Sequence, residues 1–198
     1  MKKILLTMLM AVMAMSAFAQ NVADAYICDL SGTPTNIRDA PNGKIVQTLK
    51  DVDGGYVVTL LETKNNWWKI DPEVDIYGDV EEGEDVVKLK GSKTGYWVHY
   101  SVLQFTIAGE RENVIRTKPS SKAAPVKITE PSYLAEIELR PLEIFGEWIK
   151  VITVDKRYTG WMPIGSICSN PLTTCSFNSL IKSIRNTTIG FRNIIINF

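Results

Sequence analysis

The sequence predicts an all-β fold made from two copies of one small unit, placed behind an export leader. Three observations carry that expectation. The apolar residues of the central chain fall in short β-branched and aromatic runs, divided by Gly and Asn turns. Beyond the leader, no stretch keeps an i, i+3, i+4, i+7 pattern long enough for a helix. Short motifs also recur in the same order at near-equal spacing, the mark of an internal repeat.

Composition sets the limits. The 198 residues, 22.2 kDa, hold one large domain or two small ones. At 45% hydrophobic and 22% charged residues the chain is ordinary globular material. A formal net charge of zero argues against a nucleic-acid binder that works by neutralising phosphates. One histidine and three cysteines leave little for a metal site or a Cys/His pair, so an enzyme is not expected, nor a cofactor or metal.

The first element is the leader, residues 1–19. Lys2 and Lys3 precede an uncharged apolar run from Ile4 to Phe18, and Ala17-Phe18-Ala19 supplies the small-x-small pattern of a signal peptidase cut. The run is shorter than the ~20 residues of a membrane span, and no Lys/Arg stop-transfer cluster follows it. Cys28 follows Tyr26-Ile27 rather than small residues, which does not suit a lipid anchor. The mature chain is expected to start near Gln20, to be periplasmic or secreted, and to carry no membrane anchor after cleavage. It then holds 20 basic and 22 acidic residues, of which 17 and 22 lie between Gln20 and Cys168. Residues 169–198 hold three basic residues and no acid, so a boundary is read near Asn170-Pro171.

In the body, strands are read at Ile45-Val46, Tyr56 to Leu61, Trp67 to Ile70 and Tyr96-Trp97-Val98. Turns fall at Asn42-Gly43, Asp53-Gly54-Gly55 and Lys64-Asn65-Asn66. The repeat runs through these elements. Ile37-Arg38-Asp39-Ala40-Pro41 matches Ile115-Arg116-Thr117-Lys118-Pro119, and Trp67-Trp68-Lys69-Ile70 matches Trp148-Ile149-Lys150-Val151. The gap from proline to tryptophan is 26 residues in the first copy and 29 in the second. Thr94-Gly95-Tyr96-Trp97 then pairs with Thr159-Gly160-Trp161, and Leu103 or Ile167 sits six residues past each tryptophan.

These residues resemble the bacterial SH3 domain family, whose copies run Asn-Val-Arg-x-x-Pro, Trp-x-Lys-Val, then Thr-Gly-Trp-Val and a closing Leu. The likeness covers about Ala23 to Leu103 and Glu110 to Cys168. It implies two tandem SH3-like small β-barrels, residues 20–104 and 105–168, followed by an irregular tail. The departures are a long insert, 71–92, in the first copy and Met162-Pro163 in the second. Such a barrel has a small core, so bulky tryptophans at strand starts are expected to pack it. The arginines after Ile37 and Ile115 are expected to lay their stems over the barrel and hydrogen-bond a loop carbonyl. Gly95 and Gly160 are expected to take a positive φ or to permit close backbone approach.

The resemblance implies a non-catalytic module that binds a cell-envelope component: a peptidoglycan peptide or glycan, or a peptide of an envelope protein. Adjacent strand residues face opposite ways, so one of Trp67 and Trp68 faces solvent or lies under a loop. Trp68 with Tyr96, His99 and Tyr100 would line an aromatic groove; alternatively Trp68 packs on the neighbouring domain or under the insert. The contact residues expected are Trp68, Tyr96, Trp97 and Tyr100 in the first copy, with Tyr158 and Trp161 in the second. Trp67, Trp97, Trp148 and Trp161 also sit where a small barrel packs.

The competing readings use other features. Asp71 to Asp85 holds eight acids and no base, which suits a solvated hairpin tip, a calcium loop or a contact for a basic protein partner in an interaction or inhibitor module. The glycine and distal glutamate are misplaced for a helix-loop-helix calcium site. A cryptic wall hydrolase would have to use His99, yet no Gly-x-Ser-x-Gly elbow is present. Export permits one disulfide; Cys168 with Cys175 closes a small loop, and Cys28 with Cys168 is the other pairing considered. The apolar tail, interrupted by Asn and Thr, has no counterpart in the repeat. It either adds strands to a sheet edge or stays partly disordered.

Overall fold

The computed structural model describes residues 22–31, 34–50, 55–78, 85–108, 115–128 and 138–170. Residues 1–19, expected to be a leader, the tail beyond Asn170 and Cys175 lie outside them. The described residues form strands and short 3-10 turns with no α-helix, so the all-β class holds.

The nine strands of the first half are β1 Ala23–Ile27, β2 Thr35–Arg38, β3 Ile45–Leu49, β4 Tyr56–Lys64, β5 Trp67–Ile70, β6 Glu73–Ile76, β7 Val86–Lys88, β8 Tyr96–His99 and β9 Leu103–Gln104. They make one sheet in the order β3-β2-β8-β5-β4-β1-β9, with β6 beside β4 and β7 beside β6. The second half contains β10 Thr106–Ile107, β11 Leu139–Phe145, β12 Trp148–Thr153, β13 Thr159–Pro163 and β14 Ile167–Cys168. Of these, β11-β12-β13 form a three-stranded sheet, and β10 pairs with β14.

The sheets are open: among the described residues neither half closes into the hydrogen-bonded barrel that the resemblance implies. The end strands β3 and β9 do not pair. Instead the chain leaves β9 at Phe105, which exchanges both backbone hydrogen bonds with Leu139, at 3.0 and 2.9 Å.

Local chemistry accounts for the turns. Asn65 and Asn66 both take positive φ, 51° and 69°, which is the twist a two-residue hairpin between β4 and β5 requires. The insert is not a loose appendage. Its ends form the β6–β7 hairpin, with Glu73 opposite Lys88, and Val74 and Leu89 anchor it in the core. Its tip, residues 79–84, lies outside the described residues.

Equivalent contacts recur in the two halves. Arg38 donates to the Gly43 carbonyl at 2.6 Å and Arg116 to the Ala123 carbonyl at 3.2 Å, as expected for the repeated arginine. Arg38 pairs with Trp97, and Arg116 with Trp161. The first and last strands pair in each half, β1 with β9 and β10 with β14. A 3-10 turn precedes the last strand each time, over Tyr100–Val102 and Ile164–Ser166. Gly95 has φ 118°. Gly160 permits close approach, since a Cβ there would stand 2.6 Å from the Arg116 carbonyl oxygen.

One buried cluster runs through both halves, from Val58, Trp68, Val98 and Phe105 to Leu139, Ile149, Val151 and Met162. At its centre a register shift in β11 between Pro141 and Glu143 breaks the local ladder, as bulges do. The first half uses the adjacent carbonyls. Trp68 Nε1–H donates to Pro141 at 3.0 Å, and the Thr63 hydroxyl donates to Leu142 at 3.4 Å.

Candidate functional site

Strand parity decides which rings are available. On β5 the buried face carries Trp68 and Ile70, and the outer face carries Trp67 and Lys69. Trp68 is 0% exposed. It is therefore not a groove residue, and the alternative reading, packing on the neighbouring half, describes its position. Tyr96 and Trp97 are also buried. Trp97 lies between Lys69 and Arg38 in register.

The outward ring is Trp67, which the sequence had assigned to packing. It stands opposite His99 in register, with ring centroids 5.2 Å apart and edge-on. His99 in turn lies 4.8 Å from the half-buried Tyr100. The Arg38 guanidinium sits 5.7 Å from the Trp67 ring centroid, within cation–π range. Arg38, Trp67, His99 and Tyr100 thus form one aromatic strip. Of the first-copy contact residues expected, only Tyr100 belongs to it.

The second half has a related outer face. Phe145 is 63% exposed, stands opposite Trp148, and approaches half-buried Trp161 edge-on at 6.4 Å. Lys150 Nζ lies 5.8 Å from the Trp161 ring centroid. Tyr158 is half-buried, with Arg157 5.7 Å from its ring. Phe145 was missed in the sequence, although its parity with Trp148 across the Gly146-Glu147 turn was available. Both faces share a cross-strand Glu-Lys-Trp row: Glu62–Lys69–Trp97 and Glu143–Lys150–Trp161, with ion pairs of 3.9 and 3.7 Å. These exposed pairs fix side-chain orientation more than they stabilise.

His99 is held by its own turn. Its Nδ1 lies 2.8 Å from Ser101 Oγ and accepts the Ser101 backbone N–H at 3.4 Å, capping the 3-10 turn. Burial, and then the Arg140 charge, push its pKa below the usual imidazole value. Among the described residues no carboxylate bonds the ring, so the orienting acid of a Ser-His-Asp arrangement is missing there. Nor do those residues bring together three or more His, Cys, Asp or Glu side chains to hold a metal. Asp75, in the acidic hairpin, has its carboxyl pKa raised, first by burial and then by Asp24 and other acids. Cys168 is disulfide-bonded and Cys28 remains a thiol; Cys175 lies outside the described residues.

No family model matches the chain, and no curated protein matches it. Solved structures that bear a likeness include two from Trichomonas vaginalis. NlpC1 from Trichomonas vaginalis is 10% identical with a TM-score of 0.28, over 77% of this chain and 47% of that one. NlpC2 from the same organism is 9% identical with a TM-score of 0.27, over 75% of this chain and 48% of that one. The chain spans about half the length of either.

Proposed function

We propose that this protein is an exported, non-catalytic tandem of bacterial SH3-like units that binds an extended component of the cell envelope. The ligand is a peptide or glycan of the wall, or a peptide of an envelope protein. The observation that carries the reading is the strip Arg38–Trp67–His99–Tyr100 on the outer side of β5 and β8. Rings held at fixed spacing beside a guanidinium offer flat apolar faces at little cost in side-chain entropy. They suit the repeated faces of an extended chain better than a compact molecule.

The paired motifs and their equivalent contacts support the tandem assignment. Binding rather than turnover is supported by His99: its imidazole lies edge-on to Trp67, is engaged by its own turn and is biased towards the neutral form, first by burial and then by the Arg140 cation.

The test is co-sedimentation of the mature chain with purified peptidoglycan sacculi at low and high salt. Pelleting that persists at high salt and is lost in Trp67→Ala, with the melting temperature nearly unchanged, is expected. A Trp67→Ala variant that pellets like the wild type would refute the strip.

A further inference from the structure

The junction of the two halves contains polar groups that the fold leaves unanswered. Gln104 is 0% exposed, and among the described residues neither its amide oxygen nor its amide nitrogen has a partner. Nε of Arg140 is buried and likewise unpartnered. Stranding a buried amide costs more than any ordinary hydrogen bond contributes, so such a pair of groups is the place to look for a ligand.

Register brings the two together. The reciprocal bonds between Phe105 and Leu139 set Gln104 opposite Arg140, on one face of neighbouring antiparallel strands. Tyr26 continues the row beyond Gln104. Among the described residues no carboxylate pairs with Arg140, although half-buried guanidinium groups are ordinarily paired. Glu138, the residue before β11, is exposed and acts instead on Tyr26, whose hydroxyl is pushed up to about 12, first by burial. The Arg140 charge is felt at His99, and β11 packs on the Tyr100–Val102 turn. Arg140 therefore belongs to the strand that packs beside the Tyr100 end of the strip.

We propose that Arg140 anchors the free C-terminal carboxylate of an extended peptide whose body lies on the Trp67–His99–Tyr100 strip. Gln104 is a positioning residue. Its amide oxygen is an acceptor of the kind that the Arg140 Nε–H lacks. With Nε so held, the two outer nitrogens of the guanidinium remain for the ligand, and their fork matches a carboxylate. The inference rests on the strip reading and narrows it to peptides with a free terminus.

The experiment uses the mature chain and an array of tetrapeptides of varied sequence, each made as the free acid and as the C-terminal amide. The wild type is expected to prefer free acids by about tenfold, the effect of one charge-assisted contact. Arg140→Met is expected to abolish that preference. Gln104→Met is expected to weaken the preference while melting no lower than the wild type, because it removes a stranded amide. Equal retention of acids and amides overturns the anchor and leaves the strip standing. Retention of neither form also overturns the anchor, and the strip is then judged by the sacculus experiment alone. Displacement of the acids by inorganic phosphate as readily as by acetate refutes carboxylate recognition in favour of a general anion site.

Discussion

Replacing Trp68 by alanine separates the packing account of this residue from a binding account. The indole is wholly buried and reaches across the junction to the Pro141 carbonyl. Truncating a buried tryptophan costs about 3–5 kcal/mol in transfer and cavity terms. The Pro141 carbonyl also loses its donor, worth a further ~1 kcal/mol. In a chain of this size each kcal/mol moves the melting temperature by roughly 2–4 °C, so a fall of about 8–24 °C is expected. Trp68→Phe keeps most of the ring but loses the N–H, and its cost should be ~1–2 kcal/mol. The assay is urea unfolding followed by far-UV circular dichroism, which does not depend on the indole that has been removed. Because the core is continuous through both halves, both variants should unfold in one transition at a lower midpoint. A Trp68→Ala protein that unfolds at the wild-type midpoint would refute the packing argument.

Further outcomes follow from other sites. Gly160→Ala places a Cβ 2.5 Å from Ile115 Cγ2 and 2.6 Å from the Arg116 carbonyl oxygen, so a loss of about 1–3 kcal/mol is expected. Gly165→Ala meets nothing within 4 Å and should leave the urea midpoint unchanged; equal effects at the two positions would contradict the close-approach account. Asp24 has a raised carboxyl pKa because burial outweighs the hydrogen bond from Thr59, so the folded state holds its proton more tightly than the unfolded one. Its stabilising contribution is full below about pH 4 and is lost as pH rises through the folded pKa. Asp24→Asn should therefore match the wild type in acid and exceed it near neutrality, which urea titrations at the two pH values will check. On the second half, Phe145→Ala removes a ring that is mostly exposed. It should leave stability within about 0.5 kcal/mol but reduce sacculus pelleting if this face shares in binding.

Part of the fold was readable because short motifs recur in the sequence. The Ile-Arg-x-x-Pro and Thr-Gly-Trp motifs meet as Arg38 with Trp97 and as Arg116 with Trp161, and both glycines play the backbone roles expected of them. Strand parity was readable too, but not its sense. Trp67 and Trp68 are chemically identical neighbours, and a shift of one residue exchanges inner for outer face. The second copy held the answer: Ile149, the counterpart of Trp68, is the aliphatic residue at that position and is fully buried. Burial of Trp68 depends on β11 of the other half, a contact of long sequence separation that no local pattern encodes. The stranded Gln104 and Arg140 were invisible for the same reason, since they become neighbours only through the Phe105–Leu139 pairing.

The pairing of first with last strand in each half bears on how the molecule meets tension. Tyr26 lies opposite Gln104 and Ile27 opposite Leu103, and Thr106 lies opposite Cys168. The strands are antiparallel, so the chain enters and leaves each half at the same end of a two-residue pair. A pull on the two ends of either half then opens its hydrogen bonds one after another, as a zipper, instead of loading them together in shear. A protein fastened to a wall through its aromatic face would peel at modest force, starting at β1 and β14. The β4–β5–β8 layer that carries the strip would be among the last parts to yield.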